Sequence, residues 1–374
     1  MYYSEVELQS QAREPEEKRS LGIYTNKVST SRRKQRKYAL LEIIKRLLAS
    51  CGVDMRVLDC MSKQLQKEVF VKQGAEGAYF HGVMTCGSVW LCPVCSSRIT
   101  EARRQELALA LENTSFLPVM VTVTLQHDRE DKLKDLLEAL NDSLRKLKAG
   151  RWWKALQEKY SIKAHVSSLE FTYSHASGWH PHKHWLLFLD KKEAEIDAEM
   201  LQNELVKRFR KLLERHGKYA STHYGIMVQV GDKHAGNYLQ KWTVIEEVTK
   251  SNIKSGSGES YSPFQLAELG ERWSSLAFLE YAEATFGKRQ LIYSHGAREV
   301  LQLGEAKTDI ELARENSKED KVIIALSRDD WKRITNTGSQ AEILFLAETG
   351  GAEAVRKFIN GLAPPGAWRQ HDTN

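Results

Sequence analysis

No stretch of this 374-residue chain comes near the roughly 18 consecutive apolar residues that a membrane-spanning helix needs. Its first residues, Met-Tyr-Tyr-Ser-Glu-Val-Glu, lack the basic start and apolar centre of a secretory leader, which predicts a cytoplasmic protein with no membrane partner. Internal repeats are absent, and so is any Gly-x-x-x-x-Gly-Lys loop, so ATP-driven strand separation is not expected of this chain. Cysteine is scarce, with five in all, and in a reducing compartment these argue for metal ligation or free thiols before disulfides. Charge of one sign does not dominate: 55 Lys and Arg face 49 Asp and Glu, for a net charge of +6. That modest excess favours a polyanionic partner without requiring one. What is present, 41% hydrophobic and 28% charged residues, describes an ordinary globular protein long enough for two or three domains.

The most informative stretch is 178–190, Gly-Trp-His-Pro-His-Lys-His-Trp-Leu-Leu-Phe-Leu-Asp. His180, His182 and His184 fall at every second position and run into an apolar segment that reads as a strand. Successive strand side chains point to opposite faces, so His182 and His184 project the same way and can meet one divalent ion. Pro181 has no N–H for a ladder and belongs at the strand's start or on an edge. A third ligand must come from elsewhere, and Glu170, in the strand-like run 165–173 before a Ser-His-Ala-Ser-Gly turn, is well placed.

A second metal-binding pattern lies upstream. Cys86-Gly-Ser-Val-Trp-Leu-Cys92-Pro-Val-Cys95 holds a C-x2-C knuckle behind a third cysteine. A tetrahedral structural zinc needs four ligands, and the fourth is assigned to Cys60, with Cys51 and His81 as competitors. Four protein ligands leave no open position for substrate, so this zinc is a brace and not the catalytic ion. Arg98, Arg103 and Arg104 follow on a predicted helix over 96–111 and form a candidate DNA-contacting surface.

Elsewhere, 117–126 reads as a buried strand with Thr122 and Thr124 on one face. Helical periodicity follows over 130–158, where Trp152 and Trp153 sit beside basic residues and are candidates for stacking on bases. A helix is predicted over 194–216, a strand over 225–231 and a polar linker over 249–262. A strand over 321–327 is followed by helices around 340–349 and 352–362. Strand, helix, hairpin, helix, strand suits an antiparallel sheet with helices on one face. His234, Tyr238 and Lys241 fall on one face of a predicted helix starting at 232. Forming a phenolate at pH 7 costs about 4 kcal/mol, which a lysine one turn away would partly offset. Lys288 and Arg289 are candidate phosphate contacts.

Taken together, Val-Thr-Val-Thr-Leu-Gln-His127, Gly-Trp-His-Pro-His-Lys-His184 and Tyr238-Leu-Gln-Lys241 resemble the three ordered motifs of rolling-circle replication initiators. These belong to the plasmid and phage branch of the HUH endonucleases. The cysteine block and Gly-Lys-Arg-Gln-Leu-Ile-Tyr-Ser are similar to segments met in the same family, and the resemblance spans roughly residues 60–298. It implies an α+β fold in which a central antiparallel sheet carries a catalytic Mg2+ or Mn2+ on Glu170, His182 and His184. It further implies that Tyr238 attacks single-stranded or hairpin origin DNA, leaving a 5′-phosphotyrosine and a free 3′-OH, with host helicase and DNA polymerase as partners. Lys241 would position phosphate or phenolate, and His180 would support the site. Lys183 stands where the family usually has a large apolar residue. His234 stands where related initiators can have a glutamate, with Asp232 and Glu246 nearby.

The organisation expected from these readings is a flexible basic arm and short helix over 1–50, a zinc-binding segment over 51–112, an endonuclease domain over 113–250 and a mainly helical unit over 251–374. Three alternatives remain open. One is a relaxase or single-strand transposase of the same nuclease class. Another is a zinc-dependent DNA-binding protein without catalysis. The third is a metallohydrolase that uses water alone.

Overall fold

The two longest strands form one hairpin, and the rest of the central sheet is built outward from it. In the computed structural model, which describes residues 27–52, 55–74, 77–230, 260–314 and 320–362, β4 (Ile162–Ser174) pairs with β5 (Gly178–Leu189) along almost its whole length. The turn between them depends on Gly178. Its φ is +77°, and a Cβ there would meet the Arg129 backbone at 3.1 Å, so an L side chain would be both strained and crowded.

All strand pairs are antiparallel. β3 (Leu117–Val123) lies beside β5, and β6 (Ile226–Val230) lies beside β3. On the other side β4 takes two short strands, β7 (Ser260–Tyr261) near its end and β8 (Leu291–Tyr293) near its start. A second sheet has the order β2-β1-β9, from β1 (Val69–Gly74), β2 (Gly77–His81) and β9 (Lys321–Leu326). The fold is therefore α+β with antiparallel sheets.

Alternation along β5 divides the central sheet into two faces. Trp179, Lys183, Trp185, Leu187 and Leu189 form the back; His180, His182, His184, Leu186 and Phe188 form the front. The back is covered by α3 (Leu133–Leu147), α4 (Gly150–Tyr160) and α5 (Ala198–Leu213), whose buried leucines recur at helical spacing. Asp197 caps α5 by accepting from Met200 N at 2.8 Å.

The front is covered at its apolar end by α2 (Pro93–Asn113), through Leu107, Ala110 and Leu111, and by α8 (Ala297–Val300), through Ala297. Helices thus lie on both faces, not on one as periodicity alone predicts. The remaining helices among the described residues are α1 (Lys27–Ser50), α6 (Pro263–Leu269), α7 (Arg272–Thr285), α9 (Asp309–Arg314), α10 (Arg328–Asn336) and α11 (Gln340–Gly361). α10 opens with the Ser327/Asp330 capping box that its sequence announces. No helix among the described residues is long and apolar enough to cross a membrane.

Three boundaries differ from expectation. The first helix begins at Lys27, so the basic run 31–37 is helical backbone and not an extended arm. The periodic stretch 130–158 is two helices, because Ala149 is extended and Gly150 has φ +76°. The stretch expected to be mainly helical also contributes strands: β7 and β8 extend the central sheet and β9 completes the smaller one.

The back face also buries His165, whose Nδ1 has no partner among the described residues. Burial, helped by the nearby charge of Lys148, holds its pKa down at about 3. The unfolded chain then binds a proton that the folded one refuses, so stability falls as pH drops from about 6.5 towards 3, by about 1.4 kcal/mol per pH unit for this group. His165→Phe is expected to flatten urea-unfolding stability by about 2 kcal/mol between pH 6 and 4.5 relative to the parent. Parallel profiles for the two proteins would refute this.

Candidate active site

Beyond Leu186 the front face of β5 changes from apolar to histidine, and neighbouring strands answer with polar residues. His182 lies directly opposite Glu170 of β4 in register, and His184 lies opposite Thr122 of β3. The His184 ring is held from both sides, by Glu170 Oε2 at Nε2 (2.8 Å) and by Thr122 Oγ1 at Nδ1 (3.2 Å). His180 Nε2 is hydrogen-bonded to Thr124 Oγ1 at 2.6 Å. His127, just beyond β3, donates from Nδ1 to the Ser177 carbonyl at 2.9 Å, and its ring centroid stands 4.6 Å from that of His180.

Four imidazoles, one carboxylate and two threonine hydroxyls therefore share one end of one sheet face. Burial, with the charge of neighbouring histidines second, lowers the pKa of His180 to about 3 and that of His182 to about 4. Both rings are neutral at pH 7, with lone pairs available to a cation without prior loss of a proton. The set is assembled but not closed. The His182 and His184 ring centroids are 6.3 Å apart, and Glu170, His182 and His184 do not bring their ligand atoms within 4.8 Å of one another. The His182 ring is half-buried and makes no hydrogen bond among the described residues.

Thr122 and Thr124 read in the sequence as ordinary strand residues; their partners are the histidines. The signal for this was their alternation just before His127. Tyr238, Lys241 and His234 lie outside the described residues.

The cysteine cluster is closed. Cys60, Cys86, Cys92 and Cys95 are all buried, and their sulfurs lie within 4.8 Å of one another, the one such group among the described residues. Cys60 Sγ is 3.6 Å from both Cys92 and Cys95, and Cys86 Sγ is 3.7 Å from Cys95. Four ligands around an ion at metal–sulfur bonds of about 2.3 Å stand about 3.8 Å apart, so the spacing suits a bound metal. Hydrogen bonds from the other thiols hold Cys95 well below the usual thiol range, while Cys86 is pushed up first by its hydrogen bond with Cys60 and Cys92 first by burial. Without a cation four ionised thiols cannot coexist here. Cys51 is exposed, and neither it nor His81 joins the group.

Most of the expected DNA contacts are engaged elsewhere. Arg103 donates to Gln290 Oε1 at 3.0 Å and is ion-paired with Asp309. Arg98 donates to the Ala313 carbonyl at 3.1 Å, and Arg104 pairs with Glu101 one turn away. These three arginines fasten α2 to α9 or to itself and do not form a free basic face. Trp153 is core, packed edge-on against His165 and Trp185. Trp152 is half-buried beneath the Arg208 guanidinium, 4.7 Å from its ring centroid. Lys288 and Arg289 are exposed.

Residues 79–337 match the family described as "Replication protein". The chain is also similar to a "Protein rep" of Streptomyces lividans, 23% identical, with 75% of this chain and 79% of that protein covered. A shorter likeness, 27% identical over 32% of this chain and 34% of the other, is to a "Neomycin resistance protein" of Streptomyces cyanogenus. No solved structure matches.

Proposed function

Because the chain belongs to the replication-protein (Rep) family, we propose that it initiates rolling-circle replication by nicking single-stranded origin DNA with Tyr238, in the manner of an HUH endonuclease. The observation that carries this is the front face of β5, where Glu170 faces His182 in register and is hydrogen-bonded to His184, and where the His182 imidazole is neutral and open to a divalent ion. Mg2+ or Mn2+ held by these three would polarise the scissile phosphate and stabilise charge on the leaving oxygen. Thr122 fixes the His184 ring, and His180 with Thr124 and His127 extends the polar floor beside it.

Reach supports Tyr238 as the nucleophile. β6 ends at Val230, alongside Val119 and three residues along β3 from Thr122, about 10 Å. Two extended residues to the predicted helix start at 232 and six helical ones from there to Tyr238 can span up to about 16 Å. The phenol oxygen attacks phosphorus, the P–O3′ bond breaks, and the electron pair leaves with the 3′ oxygen, which takes up a proton. One phosphodiester replaces another, so the energy for later rejoining is retained and no ATP is needed. Lys241 would steady the phosphate or phenolate, and His234 occupies the place from which water could be activated to end the cycle. Zinc is the occupant proposed for the cysteine cluster, as a structural brace.

The test is to incubate the protein with Mn2+ and plasmid or single-stranded origin DNA, digest it, and search by mass spectrometry for a nucleotide-modified peptide. Modification at Tyr238 supports the reading. Cleavage without any adduct assigns the site to a water-based hydrolase and removes it.

A smaller effect is expected next to the ion. Thr122→Val keeps the shape and removes the hydroxyl that orients His184, so Mn2+ affinity measured by calorimetry should weaken about tenfold. Unchanged affinity would show that His184 is not a ligand or needs no such support.

A further inference from the structure

The polar end of the front face continues onto β6, and that continuation has no part in the chemistry above. One row of residues crosses the strands at His184: Thr122 of β3 stands opposite His184, and Met227 of β6 stands opposite Thr122. On the other side of His184 the row meets Ser168 of β4, which is fully buried. Met227 is 41% exposed, and Gln229, two residues on and on the same face, is exposed as well. At this row the face is closed towards β4 and open towards β6. Adjacent strands lie about 4.8 Å apart, so the Met227 backbone is about 10 Å from that of His184, within reach of the nucleotides that flank a phosphate held there.

The chain enters β6 through a hydrogen-bonded turn. Ser221 Oγ accepts from the N–H groups of His223 at 3.2 Å and Tyr224 at 3.1 Å, and Gly225 N donates to the Ser221 carbonyl at 3.0 Å. A Cβ on Gly225 would stand 2.5 Å from that carbonyl oxygen, so the turn needs glycine. Two backbone bonds fasten the segment to the continuation of β3: Thr124 N donates to the Gly225 carbonyl at 3.0 Å, and Gln126 N to the Tyr219 carbonyl at 2.8 Å. Thr124 is the residue whose hydroxyl meets His180, so the turn is anchored to the floor of the site. Held in this way, Tyr219 is 61% exposed and Tyr224 70%, and neither phenol makes a hydrogen bond among the described residues. Two aromatic rings and a methionine kept in water on a fixed frame suit a partner that offers flat apolar faces.

We propose that Tyr219, Tyr224 and Met227 form a platform on which the bases beside the scissile phosphate stack. The inference rests on the nicking reading for what the front face binds, and adds the course of the strand, which leaves the metal across β6 and not across β4. Every base has a π-face, so these three are positioning residues that hold single-stranded DNA without reading its sequence. Lys218, in the same segment, is ion-paired with Asp131, and no phosphate contact is assigned to it.

Two readouts on the full chain test this: anisotropy of a labelled mixed-sequence single strand without divalent ion, and nicking of single-stranded origin DNA with Mn2+. Tyr224→Ala should weaken binding about tenfold and raise KM for nicking by a similar factor, with kcat changed by less than about threefold. Tyr224→Phe should behave as the parent, because a stack needs the ring and not the hydroxyl. Removing one base beside the nick should weaken binding by the parent but not by Tyr224→Ala. All three residues are exposed, so the variants should melt with the parent. Binding and KM within about twofold of the parent in both Tyr219→Ala and Tyr224→Ala would overturn the proposal, as would base-removal penalties of unchanged size in both variants. No binding of the single strand by the parent would overturn it too. A parent that binds through these residues yet never nicks refutes the nicking reading and leaves the platform standing; one that nicks indifferently to the variants does the reverse.

Discussion

Tyr238→Phe is expected to abolish the covalent protein–DNA product and to lower nicking by about 10,000-fold or more, while non-covalent binding of the same oligonucleotide changes by less than about threefold. The substitution removes one oxygen, and on the proposed chemistry that oxygen is the atom bonded to phosphorus. Nothing else in the reaction can replace it at comparable cost, because water attacking the same phosphate has neither its position nor a lysine one helical turn away. The cost of ionising a phenol at pH 7, about 4 kcal/mol, implies that Lys241→Ala should slow nicking without removing the adduct. The two variants therefore separate the nucleophile from its support. Adduct of undiminished yield in Tyr238→Phe would move the nucleophile elsewhere, and cleavage at full rate without adduct would leave an ion-activated water.

The same chain shows which parts of a fold local sequence can express. Alternation with a period of two made β5 legible from His180 to Phe188, because a strand with one polar and one apolar end on the same face leaves that trace in a dozen residues. The hairpin partner was legible too, since the turn before Gly178 fixes the register, and Glu170 is the residue opposite His182. α3 and α5 show their buried faces as leucine spacing, and the cysteines show theirs as C-x2-C.

What escaped has a common physical cause. β9 reads as a strand in its apolar run, but its partner β1, like β8's partner β4, lies more than a hundred residues away, so nothing in their neighbourhood tells which sheet these short strands join. Arg103 reads as one of several free cations on a helix, yet Asp309 and Gln290 reach it from the far end of the chain. Lys183 stands where the family usually has a large apolar residue, and its ammonium is interior, beside Asn141. In each case the decisive contact is non-local, and charge counted along the sequence cannot tell an ion pair from an open surface.

Removing the metal from the cysteine cluster should have the largest effect on stability. Cys60 lies between α1 and β1, Cys86 just before Trp90, and Cys92 and Cys95 at the start of α2, so one ion would tie three segments that share a single core with Leu41, Ile44 and Ile99. Cys92 already caps α2, its sulfur accepting from Cys95 N at 3.4 Å. Cys95→Ser weakens the ion's hold and leaves buried thiols crowding one another, a loss of about 3–5 kcal/mol, which for a chain of this size lowers the melting temperature by about 4–6 °C. A strong chelator should reproduce that shift in the parent protein, and Cys51→Ser, on an exposed residue outside the cluster, should not. Elemental analysis should find one zinc per chain in the parent and much less in Cys95→Ser. The α2 anchor also holds Trp90, whose ring contacts Phe171 of β4 one residue from Glu170. Loss of the metal is thus expected to loosen the strand that carries a proposed catalytic ligand, and nicking should fall along with stability. A parent protein that contains no metal and whose melting temperature ignores the chelator would reduce the four cysteines to ordinary buried thiols.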